Sequence, residues 1–161
     1  GKILREEIKN NTEVGQKISS LMSAGSLVED KIVNRLIEDI VSDKKYENRF
    51  IFDGYPRNLD QANNLNNLLS KYKQKIDIVL KLSVRLETVK KRISERKILE
   101  KRPDDNEAVA IKRYQTYEKS SEPVIDYYKQ SNLLKVVNGE AGIPEINREI
   151  GGLIDTIKGW L

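Results

Sequence analysis

The sequence predicts an α/β protein built on a doubly wound parallel sheet with helices on both faces. In its second half, short apolar runs that suit strands alternate with longer amphipathic segments that suit helices. Connections of helical length between such strands imply that the strands pair in parallel. Segment 76–82 is mostly apolar, as expected of a strand that is covered on both faces. Ligands of such sheets bind at the carboxyl ends of the strands, so we expect the functional site there.

The first part of the chain predicts three helices. Segment 2–10 carries apolar residues at helical spacing, namely Ile3, Leu4 and Ile8. Thr12 is suited to cap a second helix, and Gly25 is suited to the left-handed position that follows its end. A third helix presents one apolar face, formed by Ile32, Val33, Leu36, Ile37, Ile40 and Val41. The charged segment 42–49 then predicts a loop.

From residue 50 onward, strands and helices alternate. In chain order we predict strand 50–52, helix 58–71, strand 76–82, helix 86–97, a long helix from about residue 106, strand 133–137 and a final helix. Pro123 is expected to interrupt the long helix, whereas Pro144 suits the first turn of the last one. No internal repeat and no linker divides the chain, so its 161 residues predict a single domain, 1–161.

Composition excludes several kinds of chemistry. The sequence contains neither cysteine nor histidine, which removes disulfides, thiolate nucleophiles, imidazole–metal sites and histidine bases. Its 29 Lys and Arg are mixed with 25 Asp and Glu, so the net charge of +4 says little about nucleic acid. Since neither an aromatic-studded sheet motif nor a long basic run is present, we expect no nucleic-acid partner. No apolar run approaches the roughly 18 residues that cross a bilayer. We therefore expect no membrane passage, and the absence of cysteine fits a reducing cytoplasm.

Asp53, Gly54 and Arg57 follow the predicted strand 50–52. An ordinary strand-to-helix turn explains these residue types about as well as a binding site does. Arginines that recur along the chain favour the binding site: Arg5, Arg57, Arg92, Arg96, Arg102 and Arg113. Each guanidinium can hold phosphate oxygens through two parallel hydrogen bonds. Phosphoryl transfer depends on such positioning and charge neutralisation, and it needs no histidine or cysteine. A solvated basic helix face remains the simpler explanation for Arg92 and Arg96 taken alone.

At several places the sequence resembles the adenylate kinases. The similar segments are 1–8 (the AMP-site helix), 24–28 (the AMP-binding turn), 53–57 with Gln61 (the DGFPR…Q signature), 92–96, 102–106 and Arg113 (the lid region), and 121–128. Together they span essentially the whole chain at matching spacings. The sequence departs from the family at Lys2, where Asp is usual, and at Tyr55, where Phe is usual. Ala141 replaces a Gly or Lys, which a backbone contact tolerates.

The resemblance implies a P-loop NTPase-like fold with an AMP-binding helical region, 1–45, and a short lid, 97–104. It implies that AMP is bound by Arg5, Ser26, Leu27, Val28, Gly54, Arg57, Gln61, Arg102 and Arg113. It implies that ATP is bound by Arg92, Arg96 and Ala141, and that the catalytic residues are Arg57, Arg96, Arg102 and Arg113. Asp53 would order the water shell of the Mg²⁺ that accompanies ATP. The lid segment 97–101 contains no Cys or His, so we expect no zinc.

The activity implied is transfer of a phosphoryl group from ATP to AMP by a monomer, and two alternatives remain open. A UMP/CMP kinase shares the fold and the Pro56-Arg57-Asn58 step, although Gln61 favours adenine. A non-catalytic nucleotide-binding fragment is the other alternative, because the sequence contains no G-x-x-x-x-G-K-[ST] loop. In the family this loop cradles the phosphates of ATP. We expect the first strand and a Gly-rich loop ending in Gly-Lys to precede Gly1 in the natural protein.

Overall fold

The computed structural model describes residues 2–24, 26, 28–100 and 107–157 of the chain. Helices and strands follow in the order α1 (Lys2–Lys9), α2 (Glu13–Ser23), α3 (Asp30–Val41), α4 (Leu59–Lys71), β1 (Val79–Ser83), α5 (Leu86–Glu100), α6 (Glu107–Gln130), β2 (Leu134–Asn138) and α7 (Ile143–Asp155). A single 3₁₀ turn at Lys44–Tyr46 interrupts the predicted loop. None of the described helices has the length and apolar character that a membrane crossing requires.

The two strands pair in parallel. Val79 lies opposite Leu134, and the register continues to Ser83 opposite Asn138. The chain between the strands forms α5 and α6, so the connection has the helical length that parallel pairing requires. The predicted parallel pairing is therefore confirmed for these two strands. The strand near residue 76 begins three residues later than predicted, at Val79.

The predicted strand 50–52 is wrong. Phe50, Ile51 and Phe52 lie in irregular backbone, and in the described part of the chain no backbone hydrogen bond joins them to β1 or β2. A strand is defined by the neighbour that takes its N–H and C=O groups, and an apolar run alone does not supply one. Phe50 and Phe52 instead stack on each other, with 5.6 Å between ring centroids, and pack against the α3–α4 core.

The predicted interruption at Pro123 is also wrong, since α6 runs through this residue without a break. Proline removes one backbone hydrogen bond from a helix, but burial beyond it can keep the helix intact. Val124 and Tyr128, which follow the proline, are both buried in contact with Ala62 of α4. Packing of the helix C-terminal half thus outweighs the lost bond.

Helix α4 lies at the centre of the core. Leu65, Leu68 and Leu69 pack against Ile37 and Val41 of α3 in one cluster of buried side chains. Ala62 on the same helix belongs to a second cluster, with Val124 and Tyr128 of α6. A helix buried on two sides is held firmly, so the residues at its N-terminal end are fixed relative to both α3 and α6.

Helices α1 and α2 approach each other at Gly15. A Cβ built on this glycine would lie 2.1 Å from the backbone oxygen of Glu7, a separation that no side chain tolerates. The predicted cap of α2 is confirmed, because the Thr12 hydroxyl accepts a hydrogen bond from the Gly15 N–H at 2.9 Å. Gly25, predicted to follow the end of α2, lies outside the described residues.

Candidate active site

A cavity of about 220 Å³ opens between α1, α3, segment 51–57 and α6. Eight residues predicted to form the site line it, namely Arg5, Ser26, Val28, Asp53, Gly54, Arg57, Gln61 and Arg113. They come from distant parts of the sequence, and the fold brings them together. Leu27 and Arg102 lie outside the described residues, as does the second half of the predicted lid 97–104, residues 101–104.

The wall of the cavity combines arginines with a large apolar surface. Among the described residues that line it, Arg5, Arg57 and Arg113 are cationic and Asp53 is acidic. The apolar lining consists of Ile3, Leu4, Met22, Val28, Val33, Leu36, Ile37, Ile51 and Phe52. An excess of positive charge suits a phosphate group, and apolar walls suit a flat heterocycle.

Gly54 and Arg57 form the turn that presents the arginine. Gly54 has φ of +70°, the left-handed region that glycine adopts most readily. The Arg57 Nε–H donates a hydrogen bond to the Gly54 carbonyl at 2.7 Å. A Cβ at position 54 would meet Arg57 Nη2 at 3.2 Å, which is tighter than ordinary contact. Glycine is therefore required here both for the backbone conformation and for the position of the guanidinium.

The surroundings of Arg57 disfavour the charged form of its guanidinium. Desolvation by neighbouring groups lowers the pKa of Arg57 the most, and repulsion by Arg113 lowers it further. Asp53 acts in the opposite direction, because its carboxylate favours the charged guanidinium. Two arginines held near each other in this way gain stability when an anion binds between them.

Gln61 is buried beside this turn, with only 4% of its surface exposed. Its Oε1 accepts a hydrogen bond from the Arg57 backbone N–H at 2.8 Å, and its Nε2 donates to Asp30 Oδ1 at 2.7 Å. Asn58, the N-cap of α4, accepts from the Gln61 backbone N–H at 2.8 Å. Part of this arrangement is visible in the sequence, because an Asn followed three residues later by a Gln resembles the pattern of a capping box.

Two supporting residues were not predicted from the sequence. Lys112 on α6 donates to the Ala24 carbonyl and to Ser26 Oγ, both at 3.1 Å, and so holds the backbone that follows α2 against α6. The Tyr55 hydroxyl donates to Asn34 Oδ1 at 2.8 Å, and burial raises its pKa. Neither pair has a sequence signal, since each joins residues that lie more than 20 positions apart.

The residues predicted for the ATP side lie apart from this cavity. Arg92 Nη2 on α5 donates to the Ala141 carbonyl at 3.3 Å, so two of the three predicted ATP residues are in contact. Arg96 is four positions further along the same helix and does not line the cavity. The Arg92–Ala141 contact places a guanidinium and a backbone carbonyl at the turn after β2.

Glu140 fastens that turn to the start of α5. Its carboxylate accepts hydrogen bonds from the Arg85 N–H at 2.6 Å and from the Thr88 hydroxyl at 2.7 Å. Its Oε2 also lies 3.3 Å from the Arg85 guanidinium. These bonds, led by the one from the Arg85 backbone, lower the pKa of Glu140 to about 2.

A metal ion would find few direct ligands in the described residues. In this part of the chain no three carboxylates lie close enough together to hold one. Asp53, which lines the cavity next to Arg57, offers a single carboxylate. One carboxylate is compatible with Mg²⁺ held through water, because Mg²⁺ keeps several of its water ligands.

The chain is similar to known adenylate kinases. A family model described as adenylate kinase matches residues 1–133, a range that contains every residue lining the cavity. The adenylate kinase of Pelagibacter ubique is 34% identical, with 96% of this chain and 84% of the relative aligned. That of Bartonella henselae is 38% identical, with 93% and 81% aligned. That of Xanthomonas campestris pv. campestris is 40% identical, with 94% and 81% aligned.

Proposed function

Because this chain belongs to the adenylate kinase family, we propose that it transfers a phosphoryl group between ATP and AMP to give two molecules of ADP. The family has a P-loop NTPase α/β fold, and the parallel pair β1–β2 with its helical connection agrees with it. The two alternatives, a UMP/CMP kinase and a non-catalytic fragment, are not favoured, since the relatives described above are adenylate kinases.

The observation that carries this proposal is the cavity that joins Arg5, Arg57 and Arg113 to Gln61. In the proposed complex the arginines, with Arg102, hold the phosphate of AMP. Ser26, Leu27 and Val28 lie along the ribose and base, and Gly54 leaves the space in which Arg57 reaches the phosphate. The amide of Gln61 pairs with the adenine edge, because it offers both a donor and an acceptor.

On the other side of the reaction, Arg92, Arg96 and the Ala141 backbone hold ATP. A phosphate oxygen of AMP attacks the γ-phosphorus of ATP, and the bond from that phosphorus to the bridging oxygen breaks, which leaves ADP on both sides. Arg57, Arg96, Arg102 and Arg113 neutralise the charge that moves during this transfer. When bound with ATP, Mg²⁺ supplies further neutralisation of the phosphates, and Asp53 would order its water shell.

The remaining features belong to the same proposal. Residues 97–104 form a short lid over the nucleotides, and segment 97–101 contains no Cys or His that could bind zinc. As the resemblance to the family implies, the protein acts as a monomer. We place it in the cytoplasm, a reducing compartment that suits a sequence without cysteine.

The test is to incubate the full-length protein with Mg²⁺, ATP and AMP and to quantify nucleotides by anion-exchange chromatography. Two ADP should form for each AMP consumed, and none should form without AMP. Calorimetric titration with ATP separates the alternatives, since a non-catalytic fragment without a triphosphate site would bind no ATP. Absence of both ADP formation and ATP binding would contradict the proposal.

A further inference from the structure

Asp30, in the first turn of α3, is bound on both of its carboxylate oxygens by residues that flank the cavity. Oδ1 accepts from Gln61 Nε2 at 2.7 Å, and Oδ2 accepts from Asn58 Nδ2 at 2.8 Å. Neither donor is near it in sequence, since the two bonds span 31 and 28 positions. Asp30 does not itself line the cavity, so it can influence a ligand only through the residues that it holds.

These bonds determine which way the Gln61 amide faces. A carboxylate only accepts hydrogen bonds and a backbone N–H only donates them. The nitrogen of the amide must therefore face Asp30, and its oxygen must face the Arg57 N–H. Inverting the amide would place oxygen against carboxylate and NH₂ against N–H. Because Gln61 is buried, neither mismatch could be relieved by water.

One donor and one acceptor of the amide remain unused. Of its two N–H groups and two oxygen lone pairs, one of each is taken by Asp30 and Arg57. Gln61 lines the cavity, so the remaining pair is available to a ligand there. The order of donor and acceptor that this pair presents is set by the orientation of the amide.

That order discriminates between purines. Adenine presents an N6–H donor beside the N1 acceptor, and a fixed amide matches both. A 6-oxopurine such as hypoxanthine presents an O6 acceptor beside an N1–H donor, which is the reverse. The ribose fixes which way the base lies, so hypoxanthine could pair only with an inverted amide. A site whose buried polar groups are left unpaired rejects the wrong ligand strongly.

We propose that Asp30 is a positioning residue that sets the selectivity of the site for adenine over 6-oxopurines by fixing the orientation of Gln61. This proposal rests on the proposed function, in which Gln61 pairs with the base of AMP. Asp30 lies in the first turn of α3, where an acidic residue is common because it interacts favourably with the helix dipole. That position alone does not suggest a role in selectivity.

Two variants separate this role from a structural one. In Asp30→Asn, the oxygen of the new amide would accept from Asn58, so its NH₂ group would face Gln61 and favour the inverted amide. Asp30→Ala only removes the acceptor, and the Arg57 N–H still favours the original orientation. Selectivity should therefore fall in the order wild type, Asp30→Ala, Asp30→Asn. A structural role predicts that Asp30→Ala is the less selective of the two variants, because Asn keeps the shape of Asp and Ala does not.

The measurement is kcat/KM for AMP and for inosine monophosphate at saturating ATP and Mg²⁺, with a thermal melt of each variant. The AMP-to-IMP ratio should fall by roughly tenfold to a hundredfold in Asp30→Asn, which corresponds to one buried group left unpaired. Glu29→Gln is the matched control, since this exposed neighbour loses the same charge and its side chain forms no capping bond. Its ratio should equal that of wild type.

A wild-type protein that does not phosphorylate AMP would overturn the proposed function and this proposal with it. If the wild-type protein phosphorylates AMP, but the AMP-to-IMP ratio of Asp30→Asn lies within about twofold of the wild-type ratio, only the role of Asp30 is overturned. If Asp30→Asn does not fold, Asp30→Ala decides, and an unchanged ratio there would equally contradict the proposal.

Discussion

At the scale of single residues, the site depends on arginines that repel each other. Arg57 and Arg113 line the same cavity, and desolvation first, then the charge of Arg113, lower the pKa of Arg57. Holding two cations in one cavity opposes folding slightly, and a bound phosphate removes that opposition. Residues placed in this way are expected to matter for binding and catalysis more than for stability.

Replacing either arginine should therefore impair the reaction without unfolding the protein. We expect Arg57→Ala and Arg113→Ala each to lower kcat about a hundredfold, because one transition-state donor is worth about 3 kcal/mol. The melting temperature should change little. Arg148→Ala, on the exposed surface of α7, is the control and should leave kcat unchanged. Turnover within about twofold of wild type in both site variants would show that these arginines serve only the surface or the turn.

At the scale of elements, the contact between α1 and α2 positions Arg5. The helices meet at Gly15, whose missing side chain lets the Glu7 backbone approach. Gly15→Ala should force the two helices apart, which typically costs about 1–3 kcal/mol in an overpacked core. Because Arg5 lies on the same helix as Glu7, the KM for AMP should rise as the melting temperature falls.

The control for this substitution is a glycine with free space around it. A Cβ at Gly152 on α7 meets nothing within 4 Å. Gly152→Ala should stabilise the protein by about 0.4–1 kcal/mol, since it restricts the unfolded chain and suits a helix. A Gly15→Ala protein that melts at or above the wild-type temperature with an unchanged KM for AMP would show that the α1–α2 approach is not tight.

The fastening of the turn at Glu140 to α5 should depend on pH. Its pKa of about 2 in the folded protein lies below its usual value of 4.5, so folding favours the ionised form. The stability that Glu140 contributes is therefore present above about pH 4.5 and is lost as the pH falls toward 2. Urea titrations should show Glu140→Gln less stable than wild type at pH 7, with the difference shrinking through that range.

As the matched control, Glu149→Gln removes the same charge from the exposed surface of α7 and should be as stable as wild type at pH 7. If the difference between wild type and Glu140→Gln were the same at pH 3 as at pH 7, the carboxylate would not be the group that holds the turn.

At the scale of the whole molecule, helix positions were predictable because apolar spacing and caps are local. Thr12 illustrates this, since its hydroxyl caps α2 as predicted. That segment 50–52 forms irregular backbone instead of the predicted strand could not be foreseen, because strand pairing depends on a partner elsewhere in the chain. Pro123 shows the same limit in a helix, where contacts of Val124 and Tyr128 with α4 override the local signal.

The candidate site was likewise predictable only in part. The candidate arginines of the cavity were identified from their residue type and from resemblance, and the fold brings Arg5, Arg57 and Arg113 to one wall. What the sequence could not supply is the set of bonds behind them. Asp30 to Gln61 and Lys112 to Ser26 are contacts between distant segments. An ordinary helical position explains Asp30 and Lys112 equally well without them.

If the cavity selects AMP as phosphoryl acceptor, the preference of the enzyme among nucleoside monophosphates will show it. The measurement is kcat/KM of the full-length protein for AMP, CMP and UMP at saturating ATP and Mg²⁺. Gln61 offers an acceptor and a donor that match N6–H and N1 of adenine, and it lines the cavity. Uracil presents the reverse order and would leave both groups unpaired. Cytosine presents the same order as adenine, but its single ring places that edge closer to the ribose. We expect AMP to be phosphorylated far more efficiently than either pyrimidine nucleotide. More efficient phosphorylation of CMP or UMP than of AMP would contradict it.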